Sequence, residues 1–245
     1  MRKLMAAIMA AGAALVGGQA IAADFPYYPP VIEIPDVDYG VSGSFYLRGS
    51  AAVNAMWTPH VNHPTASTGS GIFEINRFGY GYSVGAGAGY EFGNGFRADA
   101  TVDYLSNEGM RATIVGGAPA LANGDHTLSL RSTIVLANAY YDFPLGGESY
   151  GAAGGAFGYV GAGAGVAFND FITNGPGNPD TRDQNTSFAG AGMVGVGYDF
   201  GQVVADVGYR ALYINRIQND AAPNPYTLDN NFIHEVRGTL RYRFN

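Results

Sequence analysis

Few residues of this 245-residue chain have types and spacings that would support catalysis. The nearest base and nucleophile are His126 and Ser129, and a three-residue step along a strand would place them on opposite faces. His60 and His63 lie in a segment rich in Pro and Thr, which favours an ordinary loop over a metal-binding pair. The glycine-rich run at 85–89 continues an alternating strand and opens no helix, so it does not indicate a phosphate-binding loop. We therefore expect no catalytic, cofactor-binding or metal-binding residues, and a protein that is not an enzyme.

Arginines and carboxylates, in contrast, recur at two-residue spacing in several segments. Residues two apart share one face of a strand, and the planar guanidinium fork can meet a carboxylate through two parallel hydrogen bonds. We predict a network of charge pairs on that face; the alternative is a hydrated polar face without specific pairs. The predicted network consists of Arg48, Glu91, Arg97, Asp99, Asp103, Asp142, Asp206, Arg210, Glu235, Arg237, Arg241 and Arg243.

The N-terminal segment has the pattern of a secretory signal peptide. A positively charged start precedes an apolar run to about residue 18, and the Ala-Ile-Ala sequence that ends at Ala22 supplies a small-residue cleavage site. The apolar run is shorter than the ~20 residues of a spanning helix, which argues against a membrane anchor. We place cleavage after Ala22, with Ala23 as the alternative. The signal peptide is thus predicted at 1–22, followed by a Pro-rich periplasmic leader at 23–40.

The mature chain is acidic and free of cysteine. It carries 11 basic and 20 acidic residues once the two N-terminal bases are removed. An acidic balance argues against nucleic acid as a partner, because phosphate binding needs a basic surface. The absence of cysteine excludes both a disulfide framework and a thiol nucleophile.

Apolar and polar residues alternate along the chain beyond the leader, which predicts β-strands. In the segment 77–92 every even-numbered position is apolar or aromatic, and the Gly-Asn-Gly sequence at 93–95 then predicts a tight turn. A bulge is expected near Ser132, because Ile134 and Leu136 share a face with polar residues further along the same strand. The eight predicted strands lie near 43–54, 77–92, 96–104, 129–143, 156–168, 187–200, 203–213 and 235–244.

Long and short connections alternate between these strands. The long ones lie near 55–76, 106–127, 169–186 and 215–232, and each follows an odd-numbered strand, so all four emerge at one end. The third long connection includes Asp180, Arg182 and Asp183, which we expect in a solvated turn. Short periplasmic turns and long external loops are typical of bacterial outer-membrane proteins. The sequence thus predicts an all-β fold, an eight-stranded antiparallel up-and-down transmembrane β-barrel over residues 41–245.

Alternation alone allows the apolar face to point toward lipid or toward the core of a soluble barrel. Aromatic residues near strand ends, such as Tyr82 and Tyr198, match the girdles found at membrane interfaces. Strands of about ten residues are also long enough to cross a bilayer when tilted. We therefore expect the apolar face to contact lipid and the charge network to plug a narrow lumen.

Several short phrases resemble those of known membrane barrels. YLRGSAAV, AYYDF, GYVGAGAGVAF, GYDFG, VGYR and HEVRGTLRYRF resemble the small outer-membrane β-barrel family abundant in alphaproteobacteria, a porin-like group that includes OmpA-type barrels and opacity proteins. The resemblance covers about residues 41–245 and implies a structural or surface-exposed role without enzymatic activity. It also implies that the barrel-assembly machinery reads the last strand. Because Asn245 follows the final aromatic residue here, that recognition would rest on Tyr242 and Phe244.

Three roles stay open at this point. The leading hypothesis is a structural protein of the outer membrane, reached by export, whose loops face the environment and whose wall contacts lipid and lipopolysaccharide. Arg111 and Arg131 are candidates for contacts with lipid phosphates. The alternatives are a small channel for ions or minor solutes, and an adhesin whose loops bind an extracellular partner. No cofactor is expected for any of the three.

Overall fold

The structure is a computed structural model that describes residues 43–58, 60–63, 66–67, 73–115, 122–145, 155–177, 179–222 and 225–244. The predicted signal peptide at 1–22 and the leader at 23–40 lie outside these residues. All the strands below belong to one compact unit, Gly40–Asn245. No described segment forms a helix that is long and apolar enough to cross a membrane.

Eleven strands make up the described part of the chain. They are β1 (Ser44–Trp57), β2 (His60–His63), β3 (Ala66–Ser67), β4 (Phe73–Arg77), β5 (Gly79–Glu91), β6 (Phe96–Ile114), β7 (Gly124–Pro144), β8 (Gly155–Asn174), β9 (Thr181–Asp199), β10 (Val203–Asn219) and β11 (Tyr226–Phe244). The predicted count of eight was too low, because β2, β3 and β4 have only two to five residues each, which is too short to establish a period. They lie between residues 60 and 77, almost entirely in the segment 55–76 that the sequence predicts as a loop, and β2 contains both His60 and His63.

Eight long strands pair antiparallel in a closed ring. They follow chain order as β1, β5, β6, β7, β8, β9, β10 and β11, and β11 then pairs with β1 from Phe45 opposite Phe244 to Trp57 opposite Phe232. The short strands attach outside this path: β2 pairs with β11, β3 with β2, and β4 with β6. Each of the eight long strands therefore has a neighbour on both sides, and closure leaves no free edge among them.

Tight glycine turns join strands at one end of the ring, which we call the turn end. Gly93 and Gly95 have φ angles of 77° and 86°, and Phe92 N donates a hydrogen bond to Phe96 O at 2.9 Å. Gly201 has a φ of 96°, and its N–H donates to Asp199 Oδ1 at 2.8 Å. Glycine adopts such positive φ angles without the steric cost that a side chain would add. The predicted turn at 93–95 is confirmed.

The strands run much further toward the opposite end, the far end, than the sequence led us to expect. β7 has 21 residues and β8 has 20. The segments 106–127, 169–186 and 215–232, predicted as external loops, are therefore largely strand. Arg182 and Asp183 accordingly lie inside β9 rather than in a turn, and only Asp180 precedes that strand.

An irregularity in pairing occurs in β6 and not in β7. The register between these strands shifts between Asn107, opposite Leu130, and Met110, opposite Leu128. Gly109, inside the shift, has a φ of 79°. β7 pairs with β8 continuously from residue 127 to residue 144. The bulge predicted near Ser132 was therefore wrong. Ile134 and Leu136 share a face with polar residues because the interior of the ring changes from charged to apolar beside them.

Candidate functional site in the interior of the ring

Near the turn end, apolar side chains point out of the ring and polar side chains point into it. On β5, Tyr82 and Val84 are about half exposed, whereas Ser83 between them is buried. This outward surface, which we call the apolar band, also includes Phe45, Leu47, Val53, Phe96, Val102, Val135, Val160, Val194, Val196, Tyr198, Val207, Val236, Leu240, Tyr242 and Phe244. The phase predicted for the segment 77–92 is confirmed, because its even-numbered apolar residues face outward.

Asp103 and Glu235 lie between two buried arginines. Arg210 donates from Nη1 to Asp103 Oδ2 at 2.8 Å and from Nε to Glu235 Oε2 at 2.5 Å. Arg237 donates to the same two carboxylates, at 2.7 Å and 3.1 Å. Ser83 Oγ donates a further hydrogen bond to Glu235 Oε1 at 2.7 Å. Since Asp103 is on β6 and the arginines are on β10 and β11, these ion pairs cross the ring.

Asp99 is the acceptor of a second cluster. Its carboxylate accepts hydrogen bonds from Arg48 Nη1 and Tyr46 Oη, both at 2.8 Å, and from Asn138 Nδ2 at 2.7 Å. Arg48 Nη1 also contacts Tyr140 Oη at 2.8 Å. A buried charge is tolerated when it is paired and hydrogen-bonded in this way.

Glu91 forms a third cluster beside the turn end. It accepts from Arg241 Nη1 at 2.6 Å and from Arg243 Nε at 2.7 Å. Arg243 Nη1 also donates to Asp199 Oδ2 at 2.5 Å. Arg241 is only 1% exposed and is the largest of the fully buried side chains. Its remaining carboxylate contacts are longer, with Nε 3.9 Å from Asp206 Oδ2.

Arg97 connects the second and third clusters. Its Nε donates to both oxygens of Asp142, at 2.9 Å and 3.0 Å, and Arg241 Nη1 lies 3.7 Å from the same carboxylate. The guanidinium carbon of Arg97 sits 3.7 Å from the centroid of the Tyr140 ring. Arg97 and Arg241 thus join the second and third clusters, and the first cluster lies next to them across a small cavity. We call the three clusters together the charge network.

The structure brings all twelve predicted network residues into ion pairs inside the ring. The sequence reasoning missed Asp199, which pairs with Arg243, and the buried tyrosines Tyr46, Tyr140 and Tyr159. Spacing carried the signal for these residues, because Tyr46 is two positions from Arg48 and therefore shares its face.

Glycines opposite these side chains leave the space that the network occupies. A Cβ atom at Gly85 would lie 2.0 Å from Asp103 Oδ1, and one at Gly161 would lie 2.3 Å from Tyr140 Cδ1. Both distances are far below van der Waals contact, so any larger residue would displace the side chain opposite.

Toward the far end, the interior of the ring changes from charged to apolar. The buried residues there, which we call the apolar core, are Met56, Val61, Leu105, Met110, Ala112, Ile114, Leu128, Leu130, Ile134, Leu136, Ala167, Phe171, Ala189, Leu212, Ile214, Ile217, Tyr226, Leu228 and Ile233. Each large aliphatic side chain removed from water contributes about 1.5–3 kcal/mol. The far half of the ring is therefore packed like the core of a water-soluble protein.

β7 shows this reversal with no change in its alternation. Near the turn end, Tyr141 points outward and Asn138 is buried; near the far end, Arg131 points outward and Leu130 is buried. Ile134 and Leu136 share a face with Asn138 because the interior itself changes character beside them. This explains the mixed face that we had attributed to a bulge.

Two histidines and a tyrosine meet at the far end of the interior. The hydroxyl of Tyr226 is 2.9 Å from His126 Nδ1, and His126 Nε2 is 3.1 Å from Ala122 O. The His63 ring packs against Tyr226 with centroids 5.1 Å apart. Burial, and secondarily the nearby His126, lowers the pKa of His63. His126 is buried and Ser129 lies on the other face, as the three-residue spacing predicts.

The outer wall near the far end carries exposed charges instead of apolar residues. Arg111 pairs with Asp125 at 2.9 Å, Arg131 lies 3.6 Å from Glu108, Arg216 pairs with Asp229 at 2.8 Å, and Arg182 pairs with Asp170. Backbone N–H groups of Asp220 and Gln184 donate to Asp183 and lower the pKa of its carboxyl group. The polar outer wall and the apolar core together indicate that this half of the ring is surrounded by water.

Comparison with known proteins gives distant relatives. No protein-family model matches the chain. An uncharacterized protein of Brucella suis biovar 1 is 29% identical over an alignment of 290 residues that covers 97% of each chain. An uncharacterized protein of Brucella melitensis biotype 1 has the same identity and coverage.

Solved structures that are similar to this one include bacterial surface and outer-membrane proteins. Neisserial surface protein A has 22% sequence identity and a TM-score of 0.46, with 82% of this chain and 97% of that chain covered. Outer membrane protein OprG from Pseudomonas aeruginosa has 13% identity and a TM-score of 0.47, with 83% and 97% covered. Ail, the attachment invasion locus protein of Yersinia pestis, has 12% identity and a TM-score of 0.38, with 83% and 99% covered.

Proposed function

We propose that this chain is an integral β-barrel protein of the bacterial outer membrane, with a structural or surface-exposed role and no enzymatic activity. The observation that carries the proposal is the inside-out distribution of side chains near the turn end. Tyr82, Val84 and Val102 expose about half of their surface on the outside, while Arg210, Asp103 and Glu235 are buried inside. Such a surface is unfavourable in water and favourable in a hydrocarbon layer.

The closed ring satisfies the hydrogen-bonding requirement that a bilayer imposes on the backbone. Every backbone N–H and C=O in hydrocarbon must find a partner, and only helices and closed barrels achieve this. The pairing of β11 with β1 supplies that closure. Aromatic residues line both margins of the apolar band, as expected for girdles at the two membrane interfaces. Tyr90, Phe92, Phe96, Tyr141, Tyr198, Phe200, Tyr242 and Phe244 lie at the turn end, and Trp57, Tyr80, Tyr104, Phe168, Phe188 and Tyr209 lie nearer the far end.

The length of the strands supports the proposal that their far halves extend beyond the membrane. A tilted strand crosses the bilayer with about 9–11 residues, whereas β7 has 21. On β7 the outward positions are apolar from Phe143 to Val135 and polar from Thr133 to Asp125. The far half of the barrel therefore stands in water on the cell exterior, and the turn end faces the periplasm.

A plugged lumen follows from the two kinds of interior packing. The charge network fills the membrane-embedded section with ion pairs that join β1, β6, β7, β10 and β11. The apolar core fills the external section. A barrel of eight strands is only wide enough for side chains. We expect little or no steady conductance, which disfavours the channel alternative.

We propose three partners on the basis of the same geometry. Tyr242 and Phe244 face outward on the last strand, where the barrel-assembly machinery would read them. Arg131 lines two neighbouring grooves of about 490 Å³ and 450 Å³ just above the apolar band. We propose that this part of the wall contacts the phosphates of lipopolysaccharide. The strands of the far half offer a surface to an extracellular partner.

Refolding into phosphatidylcholine vesicles tests the membrane proposal directly. We expect the refolded protein to float with the vesicles and to migrate differently on a denaturing gel before and after boiling, because a closed barrel resists detergent. Conductance in a planar bilayer should then be absent or small. A protein that stays soluble and monomeric without lipid or detergent would refute the membrane proposal, and a steady ohmic pore would refute the plug while leaving the membrane proposal intact.

A further inference from the structure

Three buried side chains meet at the far end of the interior, each on a different strand. His63 ends β2, His126 lies near the start of β7, and Tyr226 is the first residue of β11. These strand ends are the bases of the first, second and fourth of the long connections. We call the three side chains the far-end cluster.

The hydrogen bonds of His126 require a neutral ring. A carbonyl oxygen can only accept, so the 3.1 Å contact between Nε2 and Ala122 O places a hydrogen on Nε2. Nδ1 of the neutral ring is then an acceptor, and the hydroxyl of Tyr226 donates to it at 2.9 Å. A hydrogen on Nδ1 would oppose the hydrogen of the hydroxyl group. The link between β7 and β11 therefore depends on the neutral form of His126.

His63 completes the cluster from β2. The centroid of its ring is 5.1 Å from that of Tyr226, and the His126 ring is 5.9 Å from the same phenol ring. His126 is fully buried, whereas His63 keeps 9% of its surface exposed and is within reach of protons from the solvent. A proton on His63 would create an imidazolium in a buried site beside a second imidazole, which is unfavourable.

The charged groups nearest along these strands lie on the outer wall. Asp125 on β7 pairs with Arg111 on β6, and Asp229 on β11 pairs with Arg216 on β10. His60, the other titratable group of β2, is exposed. Strand alternation places these side chains on the face opposite to the far-end cluster. Protonation of His63 therefore adds a charge to an interior that is apolar at this height, and it favours movement of the ring into water.

We propose that the far-end cluster is an acid-sensitive latch that holds the outer ends of β2, β7 and β11 together. At neutral pH the latch is closed. In acid the charged His63 ring moves out to water, β2 separates from β11, and Val61 and Leu128 of the apolar core become accessible. The inference rests on the proposed function, because the latch responds to the pH outside the cell only if the far end of the barrel faces the exterior.

The accessibility of a thiol on β2 measures the opening. The chain has no cysteine, so Val61→Cys places a single thiol in the apolar core next to the latch. The full chain is refolded into phosphatidylcholine vesicles and reacted with the membrane-permeant reagent dithiodipyridine. Each rate is divided by the rate of the same variant unfolded in urea at the same pH, which removes the pH dependence of the thiol itself.

This rate ratio should rise as the pH falls. One proton changes an opening equilibrium by at most about tenfold per pH unit, so we expect an increase of about threefold to thirtyfold between about pH 6.5 and about pH 5. His63→Gln should make the ratio independent of pH, because glutamine takes up no proton. His60→Gln is the matched control, since it removes an exposed histidine of the same strand and should leave the increase unchanged.

Hydrogen exchange of the wild-type chain is a second measurement, which depends on no variant. Protection factors in acid should fall together in β2 and in the first residues of β7 and β11, because the latch joins the three strands, while β5 should keep its protection. Loss of protection in β2 alone, a rate ratio that does not change with pH, or a loss of the response in His60→Gln would overturn the latch. Failure of the wild type to insert into vesicles would instead count against the membrane function proposed above, so the two failures are distinguishable.

Discussion

Replacing Asp103 with Asn should destabilise the folded protein more than any surface charge change. Asp103 is fully buried and accepts hydrogen bonds from Arg210 at 2.8 Å and Arg237 at 2.7 Å. The amide has nearly the same shape, so the change removes charge without opening a cavity. It leaves two buried guanidinium groups that share Glu235 as their remaining carboxylate.

The expected loss follows from the cost of an unmatched buried charge. Removing one partner of a buried ion pair costs about 3–5 kcal/mol, because the other partner stays out of water without its counter-charge. This corresponds to a fall of about two to four powers of ten in the folding equilibrium constant. Screening by solvent does not reduce the figure much, because the side chains of Arg210 and Arg237 are only 3% and 6% exposed.

Urea unfolding in phosphatidylcholine vesicles can measure this loss by the fluorescence of Trp57. This residue is the single tryptophan of the chain and lies on the outer wall of β1, where unfolding moves it from lipid into water. Asp125→Asn is the matched control, since Asp125 pairs with Arg111 at 2.9 Å but both side chains are nearly half exposed. Exposed pairs contribute about 0–1 kcal/mol, so the control should change stability by no more than that.

Equal stability of Asp103→Asn and the wild type would refute the reasoning. It would mean that water reaches Arg210 and Arg237 freely, and therefore that the interior is a hydrated polar lumen without specific pairs. A large loss in both variants would instead show that any carboxylate in the barrel matters equally.

Three further predictions test the two halves of the barrel. Ala139→Arg should lower the fraction that assembles in vesicles, because Ala139 is the middle outward position between Phe143 and Val135 and an arginine at the middle of the lipid face costs about 2–4 kcal/mol. Ser129→Arg, outward on the same strand, should assemble normally, and equal defects would show that the wall does not change character along β7. Leu212→Ala should cost about 2–5 kcal/mol in urea unfolding, and a negligible cost would mean that the apolar core is not packed. Because the pKa of His63 is lowered in the folded state, the unfolded state takes up the proton first as pH falls through about 6.5. Stability should therefore decrease in acid. The protection factors of the amide hydrogens in β2, which correct for the slower intrinsic exchange in acid, should be lower at about pH 5 than at about pH 7.5, and His63→Gln should abolish the difference.

The hairpin of β5 and β6 was predictable because its signals are local. Apolar residues occupy every even position from 78 to 92, and Gly93 and Gly95 supply the positive φ angles of the turn. Local patterning also predicted the members of the charge network, since strand residues two apart must share a face. It could not predict which residues pair. Arg210 meets Asp103 across 107 positions of sequence, and that contact depends on strand tilt and stagger.

The far halves of the strands were missed because their polarity is inverted. From Asp125 to Thr133 every outward residue is polar, and the inward residues include Leu128 and Leu130 of the apolar core. We read the loss of outward apolar residues as the end of the strand. A search for alternation of either sign would have extended β7 to its observed length. The short strands β2 to β4 were missed because two to five residues are too few to establish a period, and because they pair with β11, β2 and β6 rather than with a neighbour in the predicted ring.

The inversion of polarity also gives a physical reason for the bulge in β6. Up to Tyr104 the even-numbered residues of this strand face outward, and an unbroken strand would go on to expose Met110 and Ile114. The extra residue at Gly109 shifts the phase by one position, so Met110 turns into the apolar core and Arg111 turns to the outer wall. A one-residue shift reverses every side chain beyond it, and here it occurs where the surroundings of the barrel change from lipid to water.

The same phase change occurs where β10 pairs with β11. Asn215 and Arg216 both face outward in succession, and Asn230, opposite them, has a φ of 56°. Beyond this point Ile217 and Leu228 are buried in the apolar core. β7 has no phase change, because its outward residues change from apolar to polar while its alternation stays unbroken. The outward face thus changes from apolar to polar by a phase change in some strands and by a change of residue type in β7. In both cases the change occurs just beyond the apolar band. Strands with and without a phase change therefore agree on the height at which the outward face becomes polar. A membrane interface at that height explains the agreement. This supports the proposed depth of the barrel independently of the apolar band itself.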